Sequence, residues 1–317
     1  MHTCKLKTCI RERLRFLVPL YLVRFFNATL VSLLLTSTGW SIEDTPDPLQ
    51  LKDKCLQDQP SACNDLGSLY LTGQAGLNED ATTARSYFQR ACSLHFALGC
   101  MNLATLNVNA LGGSQNLMQA ALLYENSCQL GETRGCSAAG FMYATGTGIT
   151  SNPEHGKRLL DKACKSDDAP GCLYLGALFA QQKDWEAALV AYKKACTLGD
   201  GESCNILFSL YSTDSHIKGD NSLALQYVKR SCELNYAQGC NNEGAVYLLG
   251  RLVDKDPEHA LTCFQIACEN MNMQGCYNAA TLLEERGDTS AAAKVYDKAC
   301  NLGSEKACSA VQKLKAD

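Results

Sequence analysis

The chain has no CxxC pair, so the short hooks that structural zinc sites favour are missing, and it has no CxxCH for covalent haem attachment. Its five histidines are scattered and follow no ligand spacing, so no metal centre or catalytic cluster is expected from them. No stretch alternates apolar with polar residues as strands do. No stripe of Lys and Arg runs through the chain and its net charge is -4, which sets nucleic acid aside as a partner. No apolar run is long enough to cross a bilayer as a free-standing helix.

Cysteine is what the chain has in excess, nineteen in 317 residues. Sixteen of them form eight pairs of identical spacing, C-x7-C: Cys55/Cys63, Cys92/Cys100, Cys128/Cys136, Cys164/Cys172, Cys196/Cys204, Cys232/Cys240, Cys268/Cys276 and Cys300/Cys308. First members lie 37, 36, 36, 32, 36, 36 and 32 residues apart. A fixed period with a fixed internal spacing means an array of like modules joined by like joints. Pairing at constant spacing reads as disulfides in an oxidising compartment, with metal binding as the rival.

The N-terminus points the same way. Lys5, Lys7, Arg11, Arg13 and Arg15 precede an apolar run from about Phe25 to Leu35 and then Thr36-Ser37-Thr38-Gly39. That order is expected of a secretory signal peptide over residues 1–41, cut after Gly39 or Ser41. A retained anchor and an Arg-rich organelle presequence are the alternatives. Cys4 and Cys9 lie in this segment. Its removal takes away six basic residues and one acid, a net +5, and moves the charge from -4 to about -9. The expected destination is secreted or periplasmic, with no membrane span in the mature chain.

Residues 42–62 are expected to form an N-terminal cap helix, residues 63–307 seven repeats, and residues 308–317 a C-terminal cap. Each repeat holds two apolar-periodic segments around a polar break. The first, helix A, is expected to start at the second cysteine of a pair. Leu66, Leu103, Leu175 and Leu207 lie three residues past that cysteine. Tyr70, Tyr143, Phe179, Tyr211, Tyr247 and Leu283 lie seven past it, a spacing of four that keeps one helical face. The second, helix B, announces its start with Asp80, Asn116, Asn152, Asp184, Asp220, Asp256 or Asp288, twelve residues before the next first cysteine. Pro153 and Pro257 follow two of these caps. Small residues recur eight before that cysteine (Ala84, Ala120, Gly156, Ala188, Ala224, Ala260, Ala292) and one before it. Four before it stand Phe88, Tyr124, Leu160, Tyr192, Val228, Phe264 and Tyr296, to fill the space between helices. Gly131, Gly199, Gly303 and Asn235 mark left-handed helix ends. Each bridge should therefore staple the end of a helix B to the start of the next helix A. Closing so short a loop contributes roughly 2–3 kcal/mol in the chain-entropy account.

Strings such as Cys63-Asn64-Asp65-Leu66-Gly67 and Ala163-Cys164 resemble the Sel1-like branch of the tetratricopeptide superfamily. With the C-x7-C pairs and the leader, residues 43–310 look like the bacterial Hcp family of cysteine-rich, β-lactamase-like secreted proteins. The resemblance implies an all-α, right-handed superhelical solenoid of antiparallel helix pairs with a concave groove lined by helix A. It also implies penicillin binding or weak β-lactam hydrolysis in some members, and the family includes a mitochondrial respiratory-complex assembly factor.

The chemistry of a serine β-lactamase needs S-x-x-K with S-D-N and K-T-G partners. Only Ser215-His216-Ile217-Lys218 matches, in a turn, and K-T-G is absent. No residue is therefore assigned as catalytic or as a metal ligand, and no cofactor is expected. His95, His155, His216 and His259 read as surface or loop residues. Cys263 stands where other repeats carry Tyr87, Leu123, Leu159, Ala191, Tyr227 and Val295, so a buried small hydrophobe is expected there, against a reactive thiol. Asn102, Asn242 and Asn278, with Asp65 at the equivalent place, lie two past the cysteine and would line a groove for a peptide. The alternative for these amides is a surface or helix-start role. A protein or peptide scaffold is the expected function. A β-lactam or peptidoglycan-like ligand and weak hydrolase activity form one alternative, and a redox or cofactor-related assembly role another.

Overall fold

The computed structural model describes residues 47–213 and 217–316. The expected signal segment with Cys4 and Cys9 lies outside these residues, as do Ser215 and His216 of the S-x-x-K string. Among the described residues there are sixteen helices and no strand. They run α1 (Pro48–Leu56), α2 (Pro60–Thr72), α3 (Ala81–Ser93), α4 (Ala97–Asn109), α5 (Leu117–Gln129), α6 (Thr133–Thr145), α7 (Pro153–Lys165), α8 (Ala169–Gln181), α9 (Trp185–Thr197), α10 (Gly201–Thr213), α11 (Asn221–Glu233), α12 (Ala237–Leu249), α13 (Pro257–Glu269), α14 (Met273–Glu285), α15 (Thr289–Asn301) and α16 (Glu305–Ala316). Even-numbered helices are the A helices and odd-numbered ones from α3 the B helices. All fourteen helices from α2 to α15 are thirteen residues long.

Every B helix starts at its expected cap. The carboxylates of Asp80, Asp184, Asp220, Asp256 and Asp288 and the amide oxygens of Asn116 and Asn152 accept from backbone N–H groups of the first turn. That satisfies donors a helix start leaves without partners.

Helix A does not start at its cysteine, as the sequence suggests, but three residues earlier. Cys63, Cys100, Cys136, Cys172, Cys204, Cys240, Cys276 and Cys308 each stand fourth in their helices, which open at Pro60, Ala97, Thr133, Ala169, Gly201, Ala237, Met273 and Glu305. The physical reason is the hydrogen-bond ladder: the N–H of the fourth helical residue is the first to find a carbonyl four back. Cys172 N–H accordingly donates to Asp168 O at 3.1 Å, Cys204 to Asp200 at 3.3 Å, Cys276 to Asn272 at 3.0 Å and Cys308 to Ser304 at 3.0 Å. The cysteine thus closes the first turn. The cap that opens it is chemically mixed. Asp168, Asp200, Asn272, Glu132 and Ser304 cap with their side chains, whereas Gln59, Phe96 and Tyr236 do not.

All eight joints between a B helix (or α1) and the next A helix have one geometry. Each turn is three residues long. The third residue past the first cysteine is left-handed in every case: Asp58, His95, Gly131, Asp167, Gly199, Asn235, Met271 and Gly303. Its N–H returns to the carbonyl of the cysteine, and the next N–H reaches the residue before the cysteine, as in Asn235→Cys232 and Tyr236→Ser231. This double bond pattern closes the helix end and turns the chain back.

The eight C-x7-C pairs are disulfides across these joints. Cα–Cα separations are 4.7 Å for Cys55–Cys63, 4.5 Å for Cys92–Cys100, 4.5 Å for Cys128–Cys136 and 4.5 Å for Cys164–Cys172. They are 4.9 Å for Cys196–Cys204, 4.3 Å for Cys232–Cys240, 4.4 Å for Cys268–Cys276 and 4.7 Å for Cys300–Cys308. Seven bridges are buried, and Cys300–Cys308 at the last joint is half-buried. The two 32-residue repeats differ only in the A–B turn, which shrinks to residues 182–184 and 286–288.

The residues eight, four and one before each first cysteine from Cys92 on are all buried. Where the bulky one is Phe88, Tyr192 or Phe264, its ring packs against a glycine of the preceding A helix, Gly67, Gly176 or Gly244. A Cβ at Gly176 would stand 2.7 Å from the Tyr192 ring, so a side chain is excluded there. Burying a side chain of that size contributes roughly 1.5–3 kcal/mol. By contact the chain divides into two units at Leu159/Leu160, within α7. In the first unit α2 and α4 touch, and in the second α10 touches α12 and α12 touches α14, so successive A helices pack on one another as well as on their B partners.

Candidate functional site

The asparagines of helix A form ladders. Asn102 Nδ2 donates to Asn64 Oδ1 at 2.8 Å, Asn242 to Asn205 at 2.7 Å and Asn278 to Asn241 at 2.9 Å. In each rung the amide two past one cysteine binds the amide one past the preceding second cysteine. Gln238 and Gln274 donate to Asn242 and Asn278 one turn away, at 2.9 and 2.8 Å. These asparagines are therefore ties between adjacent A helices, a role that repeat spacing alone does not reveal because the partners are 37 or 38 residues apart. Asn102, Asn242 and Asn278 are half-buried, whereas Asp65 is exposed and accepts from Asn64 at 3.4 Å. A carboxamide has two N–H groups and two acceptor lone pairs. Each rung uses one N–H of its donor.

Two histidines are not loop residues. His155 Nε2 lies 2.8 Å from Glu125 Oε1, and Tyr143 Oη donates to Glu125 Oε2 at 2.6 Å. The three come from α7, α5 and α6. Desolvation, then the Glu125 carboxylate, pushes the Tyr143 hydroxyl up to about 12. His259 Nε2 lies 2.9 Å from Glu243 Oε1, with its ring 4.0 Å from that of Tyr247. Glu243 is buried on α12 at the position that leucine fills in four other repeats.

Cys263 on α13 is buried, as expected for an apolar position, but its neighbour is polar. Cys263 Sγ, a Glu243 carboxylate oxygen and Cys232 Sγ lie within 4.8 Å of one another. Burial first, then the charge of Glu243, pushes the thiol up to about 12. Such a thiol is a hydrogen-bond donor and a poor nucleophile at neutral pH. The sequence signal was the simultaneous loss of two apolar residues in one repeat, Glu for Leu and Cys for Tyr or Leu.

No described helix is long and apolar enough to cross a membrane. Thirteen-residue antiparallel pairs, joined by three-residue turns and tied A helix to A helix, define a tetratricopeptide-type repeat protein. The Sel1 repeat family matches residues 60–96, 97–132, 133–168, 201–236 and 237–270, more than half of the chain, and the chain belongs to that family. The matched segments start at the first residue of helix A, and they omit the two repeats with short turns.

Among solved structures, the chain is similar to a Sel1 repeat protein from Oxalobacter formigenes, with TM-score 0.61, 22% identity, and 71% of this chain and 97% of that one covered. It is also similar to a protective antigen of uropathogenic Escherichia coli with an SLR fold, with TM-score 0.61, 20% identity, and 84% and 67% covered. These show the Sel1-type solenoid fold. Among curated proteins, cytochrome c oxidase assembly factor 7 of Danio rerio is 40% identical over 62 residues, and that of Xenopus tropicalis 35% over 77. Those matches span 27% and 33% of the relatives' length, and 19% and 23% of this chain.

Proposed function

We propose that the chain is an exported, disulfide-stapled Sel1 scaffold that binds an extended segment of a partner protein along its A helices. The observation that carries this reading is the half-buried amides on those helices, Asn102 in the first unit and Asn242 and Asn278 in the second. They tie α2 to α4, α10 to α12 and α12 to α14, and leave carboxamide capacity for a peptide backbone within each unit. Asp65, Asn102, Asn242 and Asn278 are the residues assigned to that surface. Sixteen bridged cysteines favour a secreted or periplasmic setting, where thiols stay oxidised. The test places a photo-crosslinking residue at position 65 or 102 on helix A, or at 89 or 190 on helix B, in protein exported by its own host. Crosslinks from the A positions alone support the reading. Equal capture from both faces, or none, defeats it.

A second reading rests on the local likeness to cytochrome c oxidase assembly factor 7 and makes the chain an assembly factor. Sequencing the N-terminus of the host's own protein and locating it by fractionation separates the two compartments. The β-lactam alternative rests on the Hcp resemblance alone, and nitrocefin turnover by the purified chain tests it.

A further inference from the structure

In the sixth repeat two positions that are otherwise mostly apolar turn polar, and they meet a histidine. Where Leu66, Leu103, Leu175 and Leu207 fill the core, Glu243 stands, and where Tyr87, Leu123, Leu159 and Val295 stand, there is Cys263. His259 comes one turn before Cys263 on the same face of α13. Its Nε2 lies 2.9 Å from Glu243 Oε1, and Cys263 Sγ lies within 4.8 Å of the same carboxylate. We propose that Cys263, Glu243 and His259 form a binding site for a thiophilic divalent cation of the zinc class.

Thiolate, carboxylate and imidazole are the donors such a cation takes, and three protein ligands leave a fourth position for water. Cys232 Sγ also lies within 4.8 Å of the Glu243 carboxylate and the Cys263 sulfur, but it is bridged to Cys240, and a disulfide sulfur carries no thiolate charge. The charges also fit. A buried carboxylate is costly unless compensated, and the thiolate and carboxylate together balance a dication. Access runs past the imidazole: the His259 side chain is 40% exposed, whereas the Glu243 side chain is 8% exposed and Cys263 is buried. The fold supplies its own control, because the equivalent His155 and its partner Glu125 lack a thiol, with Leu159 in the place of Cys263.

The experiment titrates Co2+ into the purified full chain, with all eight bridges verified intact by mass mapping. Thiolate-to-cobalt charge transfer in the near ultraviolet, saturating at one equivalent and displaced by Zn2+, is the expected result. Cys263→Ser should abolish the band, and Glu243→Gln and His259→Gln should shift the titration to higher cobalt. His155→Gln should leave it unchanged. Circular dichroism checks that each variant stays helical, and the wild-type chain decides the matter where a variant does not fold. No band in the oxidised wild-type protein overturns the proposal. A band that appears only after the bridges are reduced overturns it as well, since the ligands are then the joint cysteines.

Discussion

The backbone N–H of Asp184 donates to the carbonyl of Phe179 at 2.9 Å, across a turn of three residues. Asp80 makes the same bond to Tyr70 at 2.8 Å across a turn of eight, and all seven B-helix caps repeat it. The cap residue thus does two jobs. Its side chain starts helix B, and its backbone ties that start to the end of helix A.

Removing the side chain while keeping the backbone bond isolates the first job. Asp184→Ala is expected to cost about 1 kcal/mol. Urea unfolding followed by far-ultraviolet circular dichroism measures this, and an unchanged midpoint would contradict the capping role.

The amide ladder predicts coupling between A helices. Asn242→Ala removes the donor to Asn205 Oδ1 and the acceptor of Gln238 Nε2 and should destabilise the chain by about 1 kcal/mol. A double-mutant cycle of Asn205→Ala with Asn242→Ala should show an interaction energy of roughly 0.5–1 kcal/mol. Strictly additive effects would mean the rung contributes nothing.

Met271 holds a left-handed conformation, φ 63°, at a joint where Gly131, Gly199 and Gly303 stand in three other repeats. Glycine adopts this region without the Cβ clash that methionine suffers. Met271→Gly is therefore expected to stabilise the chain by about 0.5–1 kcal/mol, its side chain being largely exposed. A fall in thermal midpoint would show that the methionine side chain contributes more than the strain it imposes.

The Cys263 thiol is raised from 9.0 to about 12 by burial and by Glu243. A folded pKa above the unfolded one means the folded state holds its proton more tightly. The associated stability is whole below about pH 9 and is lost as pH rises from 9 towards 12. Alkylation at pH 8 in chelator should accordingly be roughly a hundredfold or more slower in the native protein than in urea. Comparable rates would refute the buried-thiol assignment.

The repeat, its helices and its joints were legible in the chain because they rest on residues at fixed offsets: cysteines, Asp or Asn caps, and a small–bulky–small triplet. Four of the five non-glycine helix ends, Asp58, His95, Asp167 and Met271, were not, since Asp and His favour a left-handed backbone only weakly and Met does not favour it. The start of helix A is hidden for a related reason, its cap varying from Asp to Tyr while the conspicuous cysteine sits three residues further on. Asn107 sits where an aromatic stands in five other repeats, and Arg85 reaches it at 2.7 Å while binding the Leu111 carbonyl at 2.9 Å. Partners 22 and 26 residues apart, like those of the ladder, depend on how one helix settles against another, which local spacing does not encode. The polar cluster is the same case. Glu243, His259 and Cys263 each read as an oddity in its own helix, and only their convergence makes them a candidate centre.

Because length varies only where helix A hands over to helix B, the joints act as standard couplings and the A–B turns as the adjustable margin. Four residues have come or gone at 182–184 and 286–288 without altering either flanking thirteen-residue helix. New sequence inserted at such a turn lies outside every bridged loop, whereas one residue added at a joint disturbs a bridge and two backbone bonds at once. Cassettes cut from joint to joint should exchange among positions, so the array can lengthen by whole modules while its tolerance for novelty stays on one margin.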